Sequence, residues 1–162
     1  MSPGSAAGVD AGRLARDIET IASFSEADPS IGYSRPTFSD AWGKARDYVI
    51  REAEAAGCRA RIDAAGNVHA RPAGRGWDER AWLCGSHVDS VPTGGKYDGV
   101  TGVVAALEVL RTCPQAPAEL EDAAGEDFGQ LELACSLHSF EGNISCPCRT
   151  LGPSQIVARM RK

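Results

Sequence analysis

Apolar residues recur along the chain with two periods, and the breaks between them mark its elements. Leu14, Ile18 and Ile21 fall at i, i+4 and i+7, which predicts an amphipathic helix over residues 11 to 24, with Asp17 and Glu19 on other faces. Residues 25 to 37, punctuated by Pro29, Gly32 and Pro36, read as a loop in which Arg35 is a solvated side chain. A second helix is predicted over residues 39 to 56. Ser39 is its N-cap, and Trp42, Ala45, Val49 and Ala53 form its buried stripe. Asp47 and Arg51 form an i,i+4 pair on its surface, and Gly57 is its stop.

The period then changes from 3.6 to 2. Cys58, Ala60 and Ile62 alternate with polar residues, as do Val68 and Ala70, and Ala65-Gly66 supplies the turn of a hairpin. His69 is expected to face solvent from the second strand, while Asn67 orients nearby backbone. Residues 72 to 80 form a loop into the apolar run Trp82-Leu83-Cys84, which reads as a buried strand. Val100, Val103, Val104, Leu107 and Leu110 give the apolar face of a helix over residues 99 to 112. Gly99 and Gly102 keep its first turn small enough for a close approach. Residues 113 to 129 carry Glu119, Glu121, Asp122, Glu126 and Asp127 and read as a charged, solvated insertion. Leu131, Leu133, Cys135 and Leu137 alternate as a further strand, and residues 151 to 162 begin another helix.

This alternation of helices and strands predicts an α/β fold: a central mixed sheet flanked by helices. A chain of 162 residues is long enough for one domain with a sizeable core. A net charge of −5 argues against a nucleic-acid partner. No apolar run reaches the ~18 residues of a membrane span. Residues 1 to 10 lack the charged and apolar regions of a secretion signal and read as a disordered leader. The six cysteines are therefore read as reduced thiols of a cytoplasmic protein, with Cys84 and Cys135 as small core residues. Cys146-Pro147-Cys148 is spaced more tightly than common zinc sites.

Chemistry concentrates between the strand at residue 82 and the helix at residue 100. His87 and Asp89 are two apart, so on extended backbone they point the same way. A carboxylate beside an imidazole is how proteins fix the tautomer of a metal-bound histidine. Asp98 follows across Gly94-Gly95, which lets the loop fold back, and a carboxylate that begins a helix can bridge two metal ions. Strand-to-helix loops are where α/β folds place their sites.

The run GSHVDSVPTGGKYDGVTGVVAALEVL, with the upstream Asp63-Ala64-Ala65-Gly66-Asn67, resembles the first metal-binding segment of the zinc-dependent amidase/hydantoinase-carbamoylase family. That family contains N-carbamoyl-L-amino-acid hydrolases, β-ureidopropionases and allantoate amidohydrolases, within the aminoacylase-like metallopeptidases. The resemblance covers about residues 12 to 152. It implies a dinuclear-zinc aminopeptidase-like catalytic domain, with Mn2+, Co2+ or Ni2+ as other metals, acting on small ureido or amide substrates in a homodimer. His87 and Asp98 become metal ligands, and Asp89 and Glu141 catalytic residues. Arg35 falls where the family carries an arginine before its second helix.

The chain departs from the family in two places. A Glu-Glu-Gly segment is expected after the strand ending near His138. Here Glu141 stands alone, and the Leu151-Gly152 spacing makes it the general base, leaving Gly142 at the ligand position. In the other alignment Phe140 takes the first place and Glu141 the ligand's. The further histidine ligands and the inserted dimerisation or lid domain of the family are absent, so residues 11 to 162 are expected to be an incomplete N-terminal part of the catalytic domain. Three readings follow. The chain is part of a zinc amidohydrolase, inactive by itself; or a non-catalytic remnant of that lineage; or an α/β binding domain unrelated to metal. A fragment of an aminoacylase or aminopeptidase of the same superfamily is the enzymatic alternative.

Overall fold

The computed structural model describes residues 8–78, 81–112 and the strand 131–135. Three helices carry the apolar stripes predicted for them. Helix α1 (Ala11–Ser23) starts at Asp10, whose side chain accepts the Arg13 amide, and turns Ile21 into the core with Leu14 and Ile18 against it. Helix α2 (Asp40–Ala55) is capped by the Ser39 hydroxyl and ends before Gly57, which takes φ 82. Its stripe of Trp42, Ala45, Val49 and Ala53 is buried, as expected. Helix α3 (Val100–Thr112) buries Val100, Val103, Val104, Leu107 and Leu110.

The described residues hold six strands: β1 (Tyr33–Arg35), β2 (Cys58–Ile62), β3 (Val68–Pro72), β4 (Trp82–Cys84), β5 (Ser90–Gly94) and, after α3, β6 (Leu131–Cys135). A four-stranded sheet has the order β2-β3-β6-β4. Its β2–β3 and β3–β6 pairs are antiparallel, and its β6–β4 pair is parallel, so the sheet is mixed as predicted. Helices α2 and α3 pack on it, and α1 packs on α3. Cys58, Val68, Ala70 and Val88 join the helical stripes in one core. Cys58 and the half-buried Cys84 are free thiols whose pKa burial raises, Cys84 to about 11. Neither is poised as a thiolate, in keeping with a packing role for Cys84.

Several expectations are corrected. The loops at 25–37 and 85–99 contain β1 and β5, which pair antiparallel in a second, two-stranded sheet. Three- and five-residue strands carrying or flanked by Pro36 and Pro92 show no usable alternation, so period alone cannot find them. Asp17, placed off the apolar stripe, is nonetheless buried, at 4 % exposed. His69 does not face solvent either. It is buried, with Nε2 3.2 Å from Asp63 Oδ2. Asp63 also accepts the Ala65 and Asn67 amides and the Asn67 side-chain amide, so one carboxylate organises the β2–β3 turn and the histidine beside it. Asp47 pairs with its neighbour Arg46 instead of Arg51, which lies over the Tyr48 ring. Arg35 is the largest departure, at 1 % exposed.

The acidic run 113–129, His138, Glu141, the Cys146–Cys148 pair and the final helix lie outside the described residues. Among the described residues no helix is long and apolar enough to cross a membrane.

Candidate functional site

Strand β4 ends at Cys84, and the chain passes through Gly85-Ser86 into His87-Val88-Asp89 before β5 begins. Val88 is fully buried in the core. Burying a valine side chain is worth about 1.5–3 kcal/mol, so Val88 acts as an anchor for the residues on either side of it. Parallel pairing of β4 with β6 points both carboxyl ends to one edge of the sheet, and His87 sits just beyond that edge.

His87 Nδ1 lies 3.0 Å from the Asp89 carbonyl oxygen and 3.2 Å from Asp89 Oδ1. The carbonyl can only accept, and the carboxylate beside it favours the same proton, so Nδ1 carries the proton and the lone pair of the neutral ring is on Nε2. This is the arrangement of a metal-binding histidine oriented by a carboxylate. Asp89 is buried, whereas the His87 side chain keeps 22 % of its surface. The hydrogen bond to Asp89 raises the His87 pKa, burial of the ring opposes it, and the charges of Asp89 and Asp98 add to the rise.

Helix α3 closes the other side. Asp98 is exposed just ahead of its first turn, where the Val100 amide bonds the Asp98 carbonyl at 2.7 Å. Gly99 takes φ 68 and lies against the His87 ring, and a Cβ on Gly102 would meet the Ser86 Cβ at 2.6 Å. The close approach expected of these two glycines is therefore realised, against the His87 loop itself.

The structure thus pairs His87 with Asp89, and Asp98 acts on His87 through its charge from the position before Gly99, while Glu141 lies outside the described residues. A neutral Nε2 and an exposed carboxylate suit a zinc-like ion in donor type. Among the described residues no three His, Cys, Asp or Glu side chains converge as a metal site, so these two donors fit such an ion as part of a set.

Sequence reasoning missed Arg35, which comes from β1. Its Nε donates to the Val88 carbonyl, and its Nη1 donates to the Ile21 and Phe24 carbonyls at 2.9 and 2.8 Å. Its partners are main-chain oxygens, which leave no trace in residue patterning. The only pointer was its place ahead of the second helix, where the resembled family carries an arginine.

No protein-family model matches the chain. A ureidoglycolate hydrolase of Oryza sativa is 42 % identical over 103 residues, 64 % of this chain and 21 % of that protein. An N-carbamoyl-L-amino-acid amidohydrolase of Paenarthrobacter aurescens is 39 % identical over 99 residues, 61 % of this chain and 24 % of its own length. The chain spans about a fifth to a quarter of these curated relatives. Among solved structures, a hydantoinase/carbamoylase family amidase from Burkholderia ambifaria superposes with a TM-score of 0.64 at 34 % identity, over 78 % of this chain and 29 % of that one.

Proposed function

The chain belongs to the hydantoinase/carbamoylase family of amidases, and on that premise we propose that it is the N-terminal part of the catalytic domain of a metal-dependent amidohydrolase. Its substrates are linear ureido or amide compounds of the N-carbamoyl amino acid class. The observation that carries this reading is the His87–Asp89 pair: Nδ1 is held by the Asp89 carbonyl with the Asp89 carboxylate beside it, and Nε2 is left as a ligand atom at the sheet edge.

His87 and Asp98 would hold the metal, zinc in the first instance, which when bound would polarise the scissile carbonyl and acidify a water. Asp89 keeps the imidazole in its ligating tautomer. Glu141 is the general base that takes a proton from water and returns it to the leaving nitrogen. β6 supports that role, because it ends at Cys135 on the same edge as His87, six residues before Glu141 in the chain. Two donors among the described residues are fewer than the three that a catalytic zinc takes from protein, so the set needs further ligands. On this reading residues 1–162 are inactive by themselves, and a homodimer of the family type would form through the dimerisation domain that the resembled family carries.

The test is a graft. Residues 11–135 replace the corresponding segment of the Paenarthrobacter amidohydrolase, and ammonia release from N-carbamoyl amino acids is followed with and without a chelator. Chelator-sensitive release, lost in His87→Ala, is expected. A graft that folds and binds zinc but releases no ammonia would sink the reading.

A further inference from the structure

We propose that Arg35 is a positioning residue for the candidate site: its buried guanidinium fixes the Val88 carbonyl and thereby holds the His87–Asp89 pair in register. The proposal rests on the reading of His87 and Asp89 as site residues.

Three contacts define what the guanidinium does. Nη1 takes two carbonyls at the C-terminal end of α1, that of Ile21, which also accepts the Phe24 amide at 3.2 Å, and that of the C-cap Phe24. Nε takes the Val88 carbonyl. One planar fork therefore ties the end of α1 to the peptide unit between Val88 and Asp89. That peptide is gripped from both sides, since the Val88 side chain is fully buried in the core. The main chain of β1 adds to the grip. The Arg35 amide donates to Ser90 Oγ at 2.9 Å, and Ser90 Oγ donates to the Tyr33 carbonyl at 2.9 Å.

The consequence for the site is geometric. The carbonyl that accepts from His87 Nδ1 and the carboxylate oxygen 3.2 Å from it both belong to Asp89, the residue that follows the clamped peptide. Rotating that peptide would carry both oxygens away from the ring. The guanidinium is also a buried cation whose charge acts on the buried Asp89 carboxylate. An ammonium cannot replace it, because lysine has no rigid fork with which to reach Val88 and the α1 carbonyls together.

The test uses isotope-labelled full chain at alkaline pH, where the His87 ring is neutral. In the wild type, the Arg35 Nε proton is expected to exchange slowly and to show a scalar coupling across the hydrogen bond to the Val88 carbonyl carbon. His87 Nδ1 is expected in the protonated, pyrrole-like range. In Arg35→Lys, amide dispersion in α2, α3 and the β2–β3 hairpin persists, while Nδ1 moves toward the pyridine-like range. A folded lysine variant that is merely less stable, with its His87 tautomer unchanged, overturns the proposal. If the variant does not fold, the wild-type measurement decides: a missing coupling or a fast-exchanging Nε proton overturns it equally. Neither readout needs metal or turnover, so failure of the amidohydrolase reading leaves this outcome separate.

Discussion

Gly99 lies so close to His87 that a Cβ built on it would stand 2.5 Å from Nδ1 of the imidazole. The same residue has φ 68, a backbone conformation that costs an alanine roughly 1–3 kcal/mol where it is enforced. Gly99→Ala therefore carries two penalties at once, backbone strain and displacement of the ring. Urea denaturation is expected to show a loss of at least that strain, together with weaker zinc binding. Gly95 is the control. It lies in the same loop with nothing within 4 Å of a built Cβ, so Gly95→Ala should change stability by less than about 0.5 kcal/mol. Equal effects at the two positions would mean that the Gly99 packing does not matter.

Asp89→Asn removes the charge that holds the His87 Nδ1 proton while keeping the side chain's size. Outer carboxylates of this kind are worth about 10- to 100-fold in metal affinity. A loss in that range is expected for Zn2+, measured by competition with a chromophoric chelator on the graft described above. An unchanged affinity would take Asp89 out of the site.

The parts of this fold that were readable in the sequence are those written as period. The stripes of α1, α2 and α3 follow from side chains facing one core, and the Ser39 cap from a hydroxyl beside a helix's first free amides. The alternation located the β2–β3 hairpin but not its burial, since β3 buries His69 and Arg71 as well as Val68 and Ala70, and Ile62 is exposed. The candidate site at His87, Asp89 and Asp98 was legible chiefly in the long run around His87 that resembles a family segment, since a His-x-Asp spacing by itself is common; of the three, the contact between His87 and Asp89 is the one the structure shows directly. What escaped was polar and long-range. Arg35 bonds main-chain oxygens in α1 and before β5, Asp17 meets an arginine from α3, and His69 meets the carboxylate of its own turn. A buried charge reads as a surface charge until its partner's position is known.

Asp17 shows the cost of that blind spot. It pairs with Arg111 and accepts the Tyr48 hydroxyl at 2.6 Å, linking all three helices. Removing one partner of a buried ion pair costs about 3–5 kcal/mol. Arg111 keeps Glu52 at 2.6 Å, which places Asp17→Asn at the lower end of that range. A second readout is spectroscopic. Burial, and then the bond to Asp17, pushes the Tyr48 hydroxyl up to about 12. In Asp17→Asn, ultraviolet titration should find that tyrosine ionising at lower pH, while burial still holds it above the ordinary value. A Tyr48 titration that does not move would show that Asp17 does not act on it.

Glu108 makes the same helix cluster sensitive to acid. It is 2 % exposed, and its carboxylate takes Arg13 Nε at 2.7 Å, Arg13 Nη2 at 2.6 Å and the Asp10 amide at 2.7 Å. The Arg13 hydrogen bonds, against the opposing effect of burial, lower its pKa from 4.5 to about 2. A carboxylate with a depressed folded pKa stabilises the fold fully above its unfolded value and ceases to do so as pH falls through the folded one. The window thus runs from about 4.5 down to about 2. The full shift corresponds to roughly 3 kcal/mol, and solvent screening at the half-buried Arg13 brings the expected contribution to about 1–2 kcal/mol. Urea denaturation of wild type and Glu108→Gln across this range should show a gap at neutral pH that closes as pH approaches 2. A gap that stays constant would mean that the glutamate stabilises the helices by packing, and that its charge contributes nothing.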